Sequence, residues 1–528
     1  MKSIMQIAQN VIQLISKGEI EQAKQLAQTL AQYKPQSGND YNSIGLIHYH
    51  LLQLRMAIPF FQKAIQLEPK ETAYLNNLAL ALLKMGEFDL ATNTLQKALA
   101  VKPNDSATHF NLGVTFQNRH DFSKALEHFD LAAKANPKHF LAITAKANIL
   151  EKLQRHDEAI HLCLGVLQDN PDNAQAHIQL GSLYKTQKKF PEALHELNQA
   201  LKLNPNSSEL YFERGHVLHA LKQYPDALDS FKTANKLQNK QIFTRQHFEK
   251  EVQEIKNFYQ KLSAIPQPPK PVDPSQPIYI VGSPRSGTTL LAQMLGMHPE
   301  IISAGELEIT RSLVKLINTR LGSPNNLETI LNYLWFECPP EEIQALQTEY
   351  KRQLSLVPHF EPTKNILDKL PSNARRMALI NRLFPNAPII HIIRDGREVA
   401  FSAFTQNFKN YVWHSYDVFD ALIEWQATID LARLGAQTLG CPYLEIRYED
   451  LVQDPKGILQ TVLEFLKKSW CEDCLKFNES KTQTYTASYN QVREKIYTSS
   501  VSKSKCYPEL YDQMTDFSNE KLKALNYL

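Results

Sequence analysis

The sequence is poor in several features that mark specialised classes of protein. Its 528 residues include only 17 glycines, with no period of three, which excludes a collagen-like chain. Six cysteines are too few for a disulfide framework in so long a chain, and they indicate a reducing compartment. The net charge of +3 is close to balance and does not favour a dedicated nucleic-acid-binding protein, so we expect no nucleic-acid partner.

Long hydrophobic runs and metal-binding patterns are also missing. No window reaches the roughly 18 apolar residues of a membrane span, and the N-terminus has neither the apolar core nor the A-x-A site of a signal peptide. There is no HExxH motif, paired CxxC or carboxylate cluster, and the single CxxC at Cys471 and Cys474 is interpreted as ordinary thiols. We therefore expect a soluble, cytoplasmic protein that needs no metal.

A repeat with a period of 34 residues runs through the first half of the chain. One alanine, one proline and one small residue recur in the same frame. The recurring positions are Ala23, Ala57, Ala91, Ala125, Ala159, Ala193 and Ala227, then Pro35, Pro69, Pro103, Pro137, Pro171 and Pro205, then Gly45, Ala79, Gly113, Ala147, Gly181 and Gly215. A fixed period of this length predicts a stack of supersecondary units.

The repeat resembles the tetratricopeptide repeat family. The resemblance implies seven units of two antiparallel helices between residues 4 and 241. The small residue would let the two helices approach closely, and the proline would end the second helix. Stacked units of this kind form a concave surface, so we expect a protein or peptide partner there. Residues 242–263 are interpreted as a helix that caps this solenoid.

A proline-rich segment, 264–277, marks a domain boundary and is interpreted as a stiff, extended linker. Beyond it, in residues 278–528, short β-branched runs alternate with helical patterns. Three such runs begin at residues 278, 388 and 441. They predict a parallel sheet with helices on both faces. The fold class is therefore α + α/β, an α-solenoid followed by a P-loop-like α/β domain.

The loop after the first predicted strand has the GxxxxG spacing of a phosphate-binding loop, from Gly282 to Gly287. The backbone N–H groups of such a loop, with the N-terminus of the following helix, form an anion site. Thr288 stands where a Walker A motif has lysine, which argues against ATP or GTP hydrolysis. Arg285 supplies a cation inside the loop instead, which suits a ligand whose single 5′-phosphate carries a small transferable group.

At this loop the chain resembles the sulfotransferase superfamily, which uses 3′-phosphoadenylyl sulfate (PAPS) as co-substrate. The sequence PRSGTT is similar to the tyrosylprotein and carbohydrate sulfotransferase branches. Fusions of tetratricopeptide repeats with sulfotransferases form a known bacterial family, and this chain looks like one. The resemblance implies that PAPS is held by Pro284, Arg285, Ser286, Gly287, Thr288 and Thr289.

The resemblance also implies the remainder of the PAPS site. Arg394, at a strand end, and Ser402, eight residues later, match the pair that binds the 3′-phosphate, and a guanidinium can donate two hydrogen bonds to phosphate oxygens. Lys503 matches a lysine on the same phosphate, and Ser488 matches a serine near the sulfate bridge. Tyr448 matches a tyrosine beside the adenosine.

Two positions depart from the family pattern. Ser504 stands where an aromatic residue is usual, and Gln406 stands where a further basic residue is expected. The first departure concerns the C-terminal lid that carries Lys503. The second removes one phosphate contact.

Transfer of a sulfuryl group to a hydroxyl needs a base and help for the leaving group. Three candidate bases follow the loop helix, and the resemblance places the catalytic glutamate on Glu306. Glu308 and His298 remain alternatives, Glu308 as a carboxylate near a helix N-terminus and His298 as a loop-ordering residue. Arg285 and Lys369 are the expected cations on the bridging oxygen.

The motifs therefore leave two classes of function. The leading hypothesis is a PAPS-dependent sulfotransferase whose repeats recruit the acceptor, either a protein tyrosine, a carbohydrate hydroxyl or a small metabolite. The alternative is a tetratricopeptide interaction protein with an inactive nucleotide-binding domain. The repeats favour a protein, peptide or polysaccharide partner in both cases.

Overall fold

The computed structural model describes residues 3–238, 244–265, 267–322, 326–357, 360–408, 413–479 and 502–528. The chain divides into two compact units, Met1–Pro205 and Asn206–Leu528. The first unit is helical, and the second contains the sheet.

The first unit consists of six consecutive pairs of antiparallel helices, one pair for each of the first six repeats. The helices are α1 (Ile4–Ser16), α2 (Ile20–Gln28), α3 (Gly38–His50), α4 (Leu54–Leu67), α5 (Thr72–Lys84), α6 (Phe88–Val101), α7 (Ser106–Asn118), α8 (Phe122–Ala135), α9 (Phe140–Lys152), α10 (His156–Asp169), α11 (Ala174–Thr186) and α12 (Phe190–Leu203).

The recurring residues explain the close packing inside each pair. A Cβ atom placed on Gly45 would lie 2.5 Å from Cε1 of Phe61, and one on Gly113 would lie 2.5 Å from a ring carbon of Phe129. Only a residue without a side chain leaves room for these rings. The recurring alanines from Ala23 onward are fully buried.

The second unit begins with a seventh helix pair, α13 (Ser208–Ala220) and α14 (Tyr224–Gln238), followed by α15 (Arg245–Leu262). Gly215 faces the ring of Phe231 as in the other pairs. The seventh repeat thus shares the compact unit of the sheet.

The sheet has five parallel strands in the order β2-β3-β1-β4-β5. The strands are β1 (Ile278–Val281), β2 (Ile301–Ser303), β3 (Asn365–Lys369), β4 (Ile389–Ile393) and β5 (Tyr443–Arg447). The connecting and C-terminal helices are α16 (Thr288–Leu295), α17 (Ile309–Leu321), α18 (Leu327–Asn332), α19 (Pro340–Leu354), α20 (Met377–Leu383), α21 (Gly396–Phe404), α22 (Val418–Leu439), α23 (Tyr448–Gln453), α24 (Pro455–Phe465), α25 (Pro508–Phe517) and α26 (Asn519–Ala524). This architecture confirms the predicted fold class.

Hydrophobic cores cover both faces of the sheet. Along β1, Tyr279 and Val281 belong to one core, and Ile278 and Ile280 belong to the other, because alternate strand residues point to opposite faces. The first core includes residues of α15, α17, α19 and α22, and the second includes residues of α16 and α24.

The helix α15, which the sequence predicts as a cap on the solenoid, packs against the sheet. Its apolar residues Phe248, Ile255, Phe258 and Tyr259 belong to the core on one face of the sheet. The helix is amphipathic, and the sequence showed that it has an apolar face without showing which surface that face contacts.

Part of the proline-rich segment is also bound to the second unit. The N–H of Lys270 donates to the carbonyl oxygen of Gly440 at 2.8 Å, and the N–H of Asp273 donates to that of Asn386 at 3.0 Å. These residues therefore lie along the sheet unit and are held by it.

Candidate active site

Three adjacent strands bring polar residues to one edge of the sheet. β1, β3 and β4 are parallel neighbours, so their carboxyl ends lie side by side. β1 leads into the loop 282–287, β3 ends at Lys369, and β4 is followed by Arg394. The strands β2 and β3 lie on one side of β1, and β4 and β5 lie on the other, so the strand order reverses at β1. Open parallel sheets bind ligands at the carboxyl ends of the strands beside such a switch point.

The loop after β1 adopts a conformation that favours glycine at two places. Gly287 has a φ of 104°, and Arg285 has a φ of 74°, which side chains rarely adopt. A Cβ atom on Gly287 would lie 2.4 Å from Cδ2 of Tyr448, so the loop lies directly against that ring. The hydroxyls of Ser283 and Ser286 are buried and have no hydrogen-bond partner among the described residues. A strained cation beside unsatisfied donors suits a loop that receives an anion.

The two predicted phosphate-binding arginines meet beside this loop. Nε of Arg285 donates a hydrogen bond to Oγ of Ser402 at 2.9 Å, and Nη1 of Arg394 donates to the carbonyl oxygen of Arg285 at 3.0 Å. Cζ of Arg394 lies 4.6 Å from the ring centroid of Tyr448. The indole N–H of Trp425 donates to the carbonyl oxygen of Arg394 at 3.0 Å. The structure thus brings together four predicted site residues, which are Arg285, Arg394, Ser402 and Tyr448.

A buried glutamate connects this cluster with the C-terminal segment. One carboxylate oxygen of Glu398 lies 3.9 Å from Nη2 of Arg394 and accepts the N–H of Lys503 at 3.2 Å. Its other oxygen accepts the N–H of Ser504 at 3.1 Å and its hydroxyl at 2.5 Å. Glu398 was not predicted as a site residue from the sequence. Ser504, which departed from the family pattern, is fully buried and supplies a second hydrogen bond to it. Ser488 lies outside the described residues.

The proposed base and one of the proposed cations form an ion pair. Nζ of Lys369 contacts Oε1 of Glu306, with the lysine side chain 2% exposed and the carboxylate 45% exposed. Burial lowers the pKa of Lys369, and the Glu306 carboxylate acts in the opposite direction. The backbone supports this pair, because the N–H of Lys369 donates to the carbonyl oxygen of Gly305 at 2.9 Å.

A second buried carboxyl group, on Asp368, lies one residue before the lysine. Burial raises its pKa to about 7, although hydrogen bonds act against this shift. The hydroxyl of Tyr350 lies 3.4 Å and the amide nitrogen of Asn373 lies 3.5 Å from one of its oxygens. The N–H of Leu307 is a further donor, which ties Asp368 to the Glu306 loop. β3 was not predicted from the sequence, so no local pattern marked this group.

The segments that build this edge match known families. Residues 277–472 match the model of the sulfotransferase family. Residues 53–110, 115–174, 153–211 and 196–229 match tetratricopeptide repeat models. The chain therefore joins segments that match tetratricopeptide repeats to a segment that matches the sulfotransferase family, as a fusion of the two.

Similar proteins support this assignment. An uncharacterized protein of Aquifex aeolicus is 30% identical over 263 residues, which are 47% of this chain and 33% of that protein. Protein-tyrosine sulfotransferase 2 of Gallus gallus is 26% identical over 203 residues, and protein-tyrosine sulfotransferase 1 of Homo sapiens is 28% identical over 206 residues. Each of these two matches covers 38% of this chain and 54% of the relative. The fusion therefore spans a third to about half of the length of these relatives.

One solved structure similar to the fusion is that of YrrB, described as a tetratricopeptide repeat protein with an unusual peptide-binding site. It is 19% identical, with a TM-score of 0.28, and the match covers 34% of this chain and 94% of that one.

The other two candidate bases of the fusion have local partners. Glu308 lies 2.9 Å from Nη1 of Arg311 at the start of α17 and is 56% exposed. The two ring nitrogens of His298 lie 3.1 Å from the carbonyl oxygen of Ser469 and 3.2 Å from the backbone nitrogen of Glu300. Glu306 is the candidate that contacts a second predicted catalytic residue, Lys369.

The CxxC motif of the fusion has free thiols, and burial raises the pKa of Cys474 to about 12. Within the described ranges, no group of three or more histidine, cysteine, aspartate or glutamate side chains could hold a metal ion. None of the described helices is long and apolar enough to cross a membrane.

Proposed function

We propose that the fusion is a PAPS-dependent sulfotransferase that moves a sulfuryl group to an acceptor hydroxyl. The observation that carries the proposal is the arrangement at one sheet edge. The arginine cluster follows β1 and β4, and the ion pair of Glu306 and Lys369 lies at the end of β3, the other neighbour of β1. An anion-binding group and a proton-accepting group thus stand at neighbouring strand ends.

The arginine cluster would bind the nucleotide. Arg394, Ser402 and Lys503 are proposed for the 3′-phosphate, as the family resemblance implies. Ser488 stays a prediction from the same resemblance, near the sulfate bridge. The loop with its strained Arg285 and the hydroxyl of Ser286 would receive the 5′-phosphosulfate. Tyr448 would lie beside the adenosine.

The transfer breaks one sulfur–oxygen bond and forms another. The acceptor oxygen bonds to sulfur while the bond from sulfur to the bridging oxygen breaks, and its electron pair stays on the 5′-phosphate. The acceptor proton passes to the carboxylate of Glu306. Arg285 and Lys369 stabilise the charge that develops on the bridging oxygen.

The ion pair explains how Lys369 can contact Glu306 before transfer and stabilise the leaving oxygen during transfer. Before transfer, Nζ of Lys369 is held by the Glu306 carboxylate, which offsets the cost of burying the cation. When Glu306 takes the acceptor proton, it becomes neutral, and its electrostatic attraction to Lys369 weakens. The ammonium is then able to act on the leaving oxygen as negative charge appears there.

The acceptor is proposed to be a protein tyrosine or a carbohydrate hydroxyl that the repeats recruit. The tyrosine assignment is supported by the named relatives of Gallus gallus and Homo sapiens. Recruitment is supported by the repeats, because stacked repeats generally expose an extended binding surface.

The test is incubation with PAPS labelled in its sulfuryl group, together with a tyrosine-containing peptide library or a panel of polysaccharides. We expect release of 3′,5′-ADP and transfer of label to one of these acceptors. The Glu306→Gln variant should still bind 3′,5′-ADP and lose turnover, with Glu308→Gln as the matched control that keeps it. Binding of 3′,5′-ADP without any label transfer would favour the interaction-protein alternative.

A further inference from the structure

The seventh repeat contacts the C-terminal segment 502–507 that carries Lys503. Nδ1 of His219 on α13 lies 2.9 Å from the hydroxyl of Tyr507, and the two rings stack with centroids 5.8 Å apart and an interplanar angle of 16°. Tyr224 on α14 meets the same ring edge-on at 5.5 Å. Phe401 of α21 lies 4.7 Å from it on the sheet side. Tyr507 is therefore enclosed between the repeat and α21, and it is 4% exposed.

The charge of Lys503 also affects the pKa of His219 in the seventh repeat. Burial is the larger cause that lowers the pKa of His219, and the Lys503 ammonium is the second. The lysine thus lies close enough to the repeat for its charge to act on the His219 ring.

The same repeat holds the end of α21. Nδ2 of the buried Asn235 on α14 donates to the carbonyl oxygen of Phe404 at 2.8 Å, and Nε2 of Gln238 donates to Oδ1 of Asn407 at 2.5 Å. α21 carries Ser402 and Glu398, and Glu398 accepts the backbone N–H groups of residues 503 and 504. The repeat therefore contacts both elements that supply the arginine cluster with its serine and its lysine.

We infer that the seventh repeat is part of the nucleotide site, in which His219 and Tyr507 act as positioning residues for Lys503. This inference rests on the proposed function, because it takes the 3′-phosphate as the ligand of Lys503. It goes beyond acceptor recruitment: one repeat of the fusion sets the geometry of the site that binds the 3′-phosphate. Glu398 fixes the segment on the sheet side, and His219 fixes it on the repeat side.

The experiment compares the full chain with His219→Ala, His219→Gln and Lys232→Ala. Glutamine keeps a side-chain hydrogen-bonding group for the Tyr507 hydroxyl. Lys232 is an exposed residue of α14 and serves as the matched control. Affinities for 3′,5′-ADP and 5′-AMP are measured by calorimetry, and backbone hydrogen exchange is measured over residues 502–507.

His219→Ala should weaken 3′,5′-ADP binding about tenfold, as expected when a charge-assisted hydrogen bond to phosphate is lost. Binding of 5′-AMP should change less than about twofold, because that ligand lacks the 3′-phosphate. Exchange over 502–507 should accelerate in the same variant. His219→Gln should recover part of both effects, and Lys232→Ala should show neither. A general loss of stability would weaken both nucleotides equally and would contradict the inference.

The outcomes separate this inference from the proposed function. If the unaltered chain binds 3′,5′-ADP no better than 5′-AMP, the assignment of the 3′-phosphate is wrong, and both proposals fall. If the unaltered chain prefers 3′,5′-ADP but His219→Ala changes neither the preference nor the exchange, the inference alone is wrong. Faster exchange with an unchanged preference also overturns it, because the segment would then be loosened without effect on the phosphate.

Discussion

A chain shortened to begin at Val272 should fail to fold, although the proline-rich segment suggested a boundary there. The shortened chain would lack α15, which contributes six side chains to the core on one face of the sheet. These are Phe248, Val252, Ile255, Phe258, Tyr259 and Leu262, each at most 8% exposed.

The expected loss follows from the burial of these side chains. At about 1.5–3 kcal/mol for each large apolar side chain, six of them contribute about 9–18 kcal/mol. The net free energy of unfolding of a typical domain is about 5–15 kcal/mol, so the lost burial free energy is as large as the entire stability of such a domain. The surface that α15 covers would in addition be exposed to water. A chain that begins at Asn206 keeps α15 and the seventh repeat and should fold, because it corresponds to the second compact unit.

The assay is thermal unfolding of both shortened chains, followed by calorimetric titration with 3′,5′-ADP. In the full chain, Phe258→Ala should cost about 3–5 kcal/mol, the usual range for a buried phenylalanine, and the exposed Lys256→Ala on the same helix should cost almost nothing. If the chain from Val272 unfolds cooperatively at a temperature close to that of the chain from Asn206, α15 is not part of the core in solution.

Three further predictions concern the site. Glu306→Gln should keep 3′,5′-ADP binding and lower kcat about 10²–10⁴-fold in the PAPS assay, and an unchanged kcat would place the base elsewhere. Gly287→Ala should weaken nucleotide binding measured by calorimetry, because its Cβ would clash with Tyr448 and the backbone there has a positive φ; wild-type affinity would refute the loop geometry. Burial raises the pKa of Asp368 from 3.8 to about 7, so the folded chain retains a proton that the unfolded chain releases. The contribution of Asp368 to stability is therefore fully present at about pH 4 and is lost as the pH rises toward 7, by up to about 1.4 kcal/mol per pH unit. Urea unfolding at several pH values should show this slope, and Asp368→Asn should flatten it.

The features that the sequence determined by itself are those with short-range causes. The repeats were predicted correctly because each small residue and its partner ring, such as Gly45 and Phe61, lie within one helix pair. The loop after β1 could be located from the sequence because its spacing and its neighbours are local, and its binding of phosphate stays a prediction. The strands β1, β4 and β5 were visible as apolar runs. β2 and β3 were not, since β2 has three residues and β3 contains Asn365, Asp368 and Lys369.

Only the tertiary structure decided which distant residues meet. The contact from Arg285 to Ser402 joins positions 117 residues apart, and no local pattern specifies it. The ion pair of Glu306 with Lys369 depends on the parallel pairing of β2 with β3, which aligns the segment after β2 with the end of β3. The partner of α15 was likewise undetermined, because an apolar helix face requires burial but does not select the surface that buries it. The contacts of the seventh repeat follow from the same physics. Its sequence defines a helix pair, and the contacts of His219 and Asn235 exist only once the chain has folded around the sheet.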